Sequence, residues 1–223
     1  MTTTIELHHA PSSAAMAPHI LLTEIGRPFA LVPVDLDAGA QRDADYLRLN
    51  PNGVVPTYVE RGPQAEPLVL FESAAIGLHL ADAHPQAQLA PPVGSRERAH
   101  YTKWMLWLAG TLHANLIPYF YPQRWAAEGN AAGAAEVKAC AEARVGPLLD
   151  RLDAELARHG APWLLGEHYR AVDAHALMLC RWTRRFAHPA RERPALGAYL
   201  GRVLERPAVR TVFEREAIAD RWV

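Results

Sequence analysis

Residues 50–60 read Asn-Pro-Asn-Gly-Val-Val-Pro-Thr-Tyr-Val-Glu, a polar loop follows, and residues 68–73 read Leu-Val-Leu-Phe-Glu-Ser. Asn-Pro-Asn-Gly is turn chemistry, with proline setting φ and glycine admitting the conformations other residues avoid. It runs into a Val55-Pro56 bond at the head of a short β-rich run, Thr57 to Glu60. A second run, Leu68 to Phe71, ends in an acid and a hydroxyl. Ala75, Ile76, His79, Leu80 and Ala83 then repeat at helical spacing, so a helix starts at that junction.

Outward from this stretch, the first ninety residues alternate strand and helix. Ile5 and Leu7 alternate in a first strand, Ala15 to Ile25 reads as a helix and Phe29 to Leu36 as a second strand. Ala40 to Leu49 has no defined pattern. The order βαβ, then ββα, is the thioredoxin-like one. Ala83 to Gly94 is a connector marked by His-Pro, Pro-Pro and Gly. Everything after it is helical. Trp104, Trp107, Leu108 and Leu112 form one apolar stripe, and Val145, Leu148, Leu149, Leu152 and Leu156 form another that stops at Gly160. Pro147 inside the second stripe predicts a kink or a restart. Further helices are expected over Ala171 to Arg185 and, as a shorter pair, from Pro194 to Ala217. The expected organisation is an α+β thioredoxin-like domain over residues 1–84, a linker over 85–94 and an all-helical domain over 95–223.

Composition narrows the function classes. The 223 residues carry 23 basic and 24 acidic side chains, a net charge of −1, so no global field recruits nucleic acid or an anionic membrane. No run approaches the roughly 18 apolar residues of a membrane span, and the N-terminus has neither the basic start nor the apolar core of a targeting signal. Cys140 and Cys180 fall in helical patterns and read as small core residues of a reduced, cytoplasmic protein. His8 and His9 are adjacent in a strand and point to opposite faces, and no Cys/His spacing suggests a metal.

The spacing of Val55-Pro56 and Glu72-Ser73 within this order resembles the glutathione-binding half of the glutathione S-transferases. The resemblance extends from Ile5 to Ala217 and includes Trp163-Leu164-Leu165-Gly166 and Asp173. It implies a cis Val55-Pro56 bond, with Val55 offering its backbone to the cysteinyl residue of glutathione as an added strand does. It also implies that Glu72 and Ser73 hold the free α-amino and α-carboxylate ends, chemistry that a carboxylate and a helix N-terminus supply. Ser73 as a helix cap is an equally available reading of the same residue.

The segment Ala10-Pro11-Ser12-Ser13-Ala14-Ala15-Met16-Ala17-Pro18-His19-Ile20 resembles the bacterial beta class of that family, except that Ala14 stands where the beta class has cysteine. Mixed-disulfide chemistry with glutathione is therefore not expected. Ser12-Ser13 resembles the serines with which the zeta and theta classes activate the thiol. Ser12 matches in position and Ser13 adjoins it. Lowering a thiol from about 8.5 to about 6.5 requires roughly 3 kcal/mol of thiolate stabilisation. A hydrogen bond to a charged group contributes about 1.5–3 kcal/mol and a helix N-terminus about 0.3–1 kcal/mol, so one serine together with the helix dipole suffices. Both serines could instead cap the first helix.

His113 matches a beta-class histidine that reaches the active-site cleft, although the lysine that follows it there is Ala114 here; a structural hydrogen bond is the competing role. Tyr101, Trp104, Met105, Trp107 and Leu108 fill a core or line an acceptor pocket. Val54 replaces a polar residue that contacts the glycine carboxylate. Arg170 replaces the serine or threonine of a capping box with Asp173, which predicts about 1 kcal/mol less helix stabilisation unless another group takes over. The resemblance as a whole implies a homodimeric detoxification enzyme that turns the glutathione thiol on a small hydrophobic electrophile. A glutathione- or partner-binding protein that kept the fold without turnover is the alternative.

Overall fold

The computed structural model describes residues 3–62 and 66–220, so residues 63–65 of the polar loop between the two β-rich runs lie outside the described part. Two compact units are present. The first comprises residues 1–90 together with 205–221, and the second runs from residue 91 to 204. The sequence suggested one division near residue 90; the chain in addition returns at its C-terminus to the first unit.

The first unit holds a four-stranded sheet in the order β2-β1-β3-β4. Strand β1 (Thr4–His9) pairs in parallel with β2 (Ala30–Pro33) and antiparallel with β3 (Thr57–Arg61), which pairs antiparallel with β4 (Leu68–Phe71). Ile5, Leu7 and His9 are the buried positions of β1, the period-two alternation expected of a strand with one face on the core. Helix α1 (Met16–Ile25) buries Ile20, Leu21 and Leu22 and stops at Gly26, whose φ of 74° is the left-handed C-cap conformation glycine favours. Helix α3 (Ser73–Ala83) buries Ile76 and Leu80. Strand β2 is shorter than the apolar run Phe29 to Leu36 because only Glu6 to His9 of β1 face it. The undefined stretch 40–49 forms a 3₁₀ turn, Ala40–Arg42, and a short helix α2 (Ala44–Leu49) that buries only Tyr46. With a single inward side chain, no periodicity could announce that helix.

The second unit is helical: α4 (Arg96–Trp107), α5 (Ala114–Phe120), α6 (Ala131–His159), α7 (Ala171–Arg181) and α8 (Pro194–Leu204). A wide π turn, Leu108–His113, joins α4 to α5 and keeps Leu108 and Leu112 buried. Helix α6 runs through Pro147 without restarting. One missing N–H costs one backbone bond, whereas the stripe Val145, Leu149, Leu152 and Leu156 is buried on both sides of it. Tyr101, Trp104, Met105 and Leu108 are buried, while Trp107 is partly exposed. Cys180 is buried and burial pushes its thiol up to about 12; Cys140, expected in the core, is exposed.

At the start of α7 the sequence expectation was half right. Arg170 supplies no side-chain cap, but Asp173, wholly buried, accepts from the backbone N–H groups of Arg170 at 2.7 Å and Leu164 at 3.0 Å and from the Tyr199 hydroxyl at 2.8 Å. The surviving half of the capping box thus ties three segments together. Helix α9 (Pro207–Arg215) belongs to the first unit and packs along α1. Arg206 holds Glu24 through two hydrogen bonds, at 2.5 and 2.9 Å. Among the described residues, no helix is long and apolar enough to cross a membrane.

Candidate functional site

Three loops meet at one end of the sheet. Thr57 opposes Phe71, so the residues preceding β3 (Val55, Pro56) lie beside those following β4 (Glu72, Ser73). His8 opposes Thr57, which brings the segment after β1, with Ser12 and Ser13, to the same end. Ala10 and Val55 share one small apolar cluster with Val34 and Tyr46, so the first and second loops are in contact.

The Val55-Pro56 bond is cis, as the resemblance implied. The turn before it is held from inside. Gly53 N–H donates to the Asn50 carbonyl at 3.0 Å, and Asn52 N–H donates to Asn50 Oδ1 at 3.1 Å. The Val54 carbonyl accepts from Asn50 Nδ2 and from the Tyr46 hydroxyl, both at 2.7 Å. Gly53 has φ of 61°, and a Cβ there would meet the Gln41 carbonyl oxygen at 3.3 Å, so the position suits glycine on both counts. The Val54 side chain is 44% exposed and apolar, without the polar group that the resemblance places there.

Glu72 precedes α3 with φ of 68° and ψ of 110°, a backbone that a non-glycine residue holds only where its surroundings over-determine it. It is the N-cap of α3, makes no side-chain cap hydrogen bond and is exposed. Ser73 is therefore the first helical residue, not the cap, and it is 5% exposed. The first-turn N–H groups of an eleven-residue helix and an outward carboxylate stand side by side, a pairing suited to a carboxylate and an amine on one ligand.

The two serines differ. The Ser13 hydroxyl donates to the Ala10 carbonyl at 2.6 Å and accepts from Ala15 N–H at 3.2 Å, so it stabilises its own turn and its proton is already placed. Ser12 lies at φ of 59°, and its N–H donates to Glu216 Oε2 at 2.8 Å. A left-handed non-glycine backbone costs roughly 1–2 kcal/mol. A hydrogen bond to a charged acceptor contributes about 1.5–3 kcal/mol, enough to offset it. Glu216 and its partner His19, with Nδ1 to Oε1 at 2.8 Å, are wholly buried. His9, edge-on to His19 at 6.0 Å, has its pKa lowered by burial, partly opposed by the Glu216 carboxylate.

His113 belongs to the helical unit. Its ring stands edge-on to Trp182 at 5.1 Å, and burial lowers its pKa. His175, fully buried beside it, is pushed down to about 3 by burial and then by His113. Among the described residues no group of three or more His, Cys, Asp or Glu could hold a metal ion. Sequence reasoning missed Glu216, His19, Tyr46 and Asn50. Only Asn50 had a local signal, the Asn-Pro-x-Gly turn.

Residues 3–82 match the family model described as "Glutathione S-transferase, N-terminal domain". "Glutathione S-transferase 3" of Zea mays is 32% identical over 84% of this chain and 83% of its own length. "Disulfide-bond oxidoreductase YfcG" of Escherichia coli is 29% identical over 97% of each. A sphingomonad glutathione S-transferase whose structure was solved with glutathione superposes with a TM-score of 0.79 at 32% identity, covering 96% of this chain and 100% of that one. The family model, the 32% identical relative covering most of both chains and the superposing solved structure agree, and the chain belongs to the glutathione S-transferase family.

Proposed function

We propose that this protein is a glutathione transferase that binds glutathione at the end of the sheet and delivers its thiolate to a small hydrophobic electrophile. The observation that carries the binding half is the junction at Glu72-Ser73. Ser73 is not used as the cap of α3, and Glu72 directs a carboxylate outward from a left-handed backbone. Glu72 takes the ligand's ammonium group, Ser73 and the first turn of α3 take its carboxylate, and Val55, ahead of Pro56, pairs its backbone with the cysteinyl residue. Relatives bearing the transferase name and the glutathione-bound sphingomonad structure support the same reading.

Ser12 is the residue we assign to the thiol. Ser12 holds the position that matches the thiol-activating serine of related classes, whereas the Ser13 proton is directed to the Ala10 carbonyl. With Ala14 in the turn, no cysteine is present there to exchange with a disulfide. His113 and the aromatic side chains of the helical unit are assigned to ligand binding on that unit. We further propose a cytoplasmic homodimer with a detoxifying role. The exposed Leu68 and Phe71 at the two ends of edge strand β4 support an association surface.

The test is thiolate absorbance of the protein–glutathione complex against pH, in the wild type and in Ser12→Ala and Ser13→Ala. A bound thiol well below about 8.5 that reverts in Ser12→Ala is expected. A thiol left at its free value removes catalysis and leaves a binding protein, the reading that the apolar Val54 favours. No binding at all removes both. Reversion in Ser13→Ala alone moves the role one residue along.

A further inference from the structure

The C-terminal segment reaches the Ser12 turn. Glu216 follows α9, and its carboxylate is enclosed, with one oxygen for each partner: Oε2 for the N–H of Ser12 and Oε1 for Nδ1 of His19, each at 2.8 Å. His19 lies on α1 with Phe29 edge-on at 5.7 Å and His9 at 6.0 Å, so its ring has little freedom to turn away. A buried carboxylate is stable only where its lone pairs are met. Here one of those bonds fixes a single peptide group, that of a serine held at φ of 59°. The backbone direction at Ser12 sets where its Cβ points, and so limits the staggered positions open to its hydroxyl.

We propose that Glu216 and His19 are positioning residues for Ser12. His19 orients the carboxylate, the carboxylate anchors the Ser12 N–H, and that anchor aims the Ser12 hydroxyl at the glutathione sulfur. The proposal rests on the assignment of Ser12 as the thiol's hydrogen-bond donor. It goes further in making thiol activation depend on a residue 204 positions away in the chain.

The experiment measures the bound thiol's pKa by thiolate absorbance, and the glutathione Kd, in the wild type, Glu216→Ala and Glu216→Gln, each also in a Ser12→Ala background. Glu216→Ala is expected to raise the bound thiol by about one unit, a tenfold fall in its thiolate-to-thiol ratio, with glutathione Kd changed less than about threefold, because Val55, Glu72 and Ser73 remain. Glu216→Gln, whose amide oxygen still accepts from the Ser12 N–H, is expected to keep most of the shift. In the Ser12→Ala background, Glu216→Ala is expected to add nothing. A purely structural role would not produce that non-additivity. A wild-type shift that survives Glu216→Ala overturns the proposal, as does an equal rise with Ser12 already removed. Should Glu216→Ala not fold, His19→Asn, whose amide can still donate to Glu216, is compared with His19→Leu; equal thiol pKa values in the two overturn it. A wild-type thiol with no shift overturns the Ser12 assignment itself, and is distinguished because it appears before any change at Glu216.

Discussion

The hydroxyl of Tyr46 lies 2.7 Å from the Val54 carbonyl and 2.9 Å from Thr57 Oγ1, bridging the residue before Val55 to the one after Pro56. Tyr46 is the one side chain that α2 buries, so that short helix serves chiefly to deliver this bridge. Tyr46→Phe keeps the ring and removes the bridge. A loss of about 1 kcal/mol in urea unfolding is expected, the contribution of a typical buried hydrogen bond. Isothermal titration should show weaker glutathione binding, because the Val55 backbone is no longer held.

Asp173 accepts three hydrogen bonds in a wholly buried position. Asp173→Ala leaves three donors without acceptors, at about 1–3 kcal/mol each, so denaturant unfolding should show a loss of at least about 3 kcal/mol. Arg170→Ser restores a side-chain acceptor at the N-cap and should stabilise by about 1 kcal/mol. If Arg170→Ser is neutral or worse, the account of the half capping box is wrong.

Acid sensitivity follows from buried histidines. His175 sits near 3 in the folded chain against an ordinary 6.5. The unfolded state therefore binds the proton first, and stability present above pH 6.5 falls as the pH drops toward 3. The slope is roughly 1.4 kcal/mol per pH unit for one proton. His9 and His113, also lowered by burial, act in the same direction. Urea midpoints at pH 7.5 and pH 5 should differ in the wild type, and less so in His175→Leu.

Ala14 marks the chemical boundary with disulfide exchange. Ala14→Cys, incubated with glutathione disulfide, should gain a glutathione adduct at residue 14 by peptide mass spectrometry. The wild type has no thiol in this loop, and Cys140 is the exposed site where any adduct should appear. An unmodified Ala14→Cys would mean that residue 14 does not face the bound thiol.

The strands, the main helices, the cis Val55-Pro56 bond and the Glu72-Ser73 junction were legible because each has a local signature. Ile5 and Leu7 alternate, Asn-Pro-x-Gly turns, and Glu-Ser sits between an apolar run and a helical one. Pro147 offered a restart that α6 does not make, because the strength of the stripe around it depends on burial that the sequence does not display. The difference between Ser12 and Ser13 was illegible for another reason. It is made by the Ala10 carbonyl and by Glu216, one a backbone atom and the other nearly the whole chain away. Asp173 was visible as a capping residue, but its bond to Tyr199 was not, since no spacing rule links residues 26 apart.

Because α9 packs on α1 and Glu216 lies beyond it, the order of synthesis matters. When the ribosome releases residue 90, every strand is made and the cradle around Val55, Glu72 and Ser73 can close. The Ser12 turn stays without its anchor until residue 216 clears the exit tunnel. On the proposed roles of Glu72, Ser73 and Ser12, a nascent or prematurely terminated chain would hold glutathione before it could sharpen the thiol.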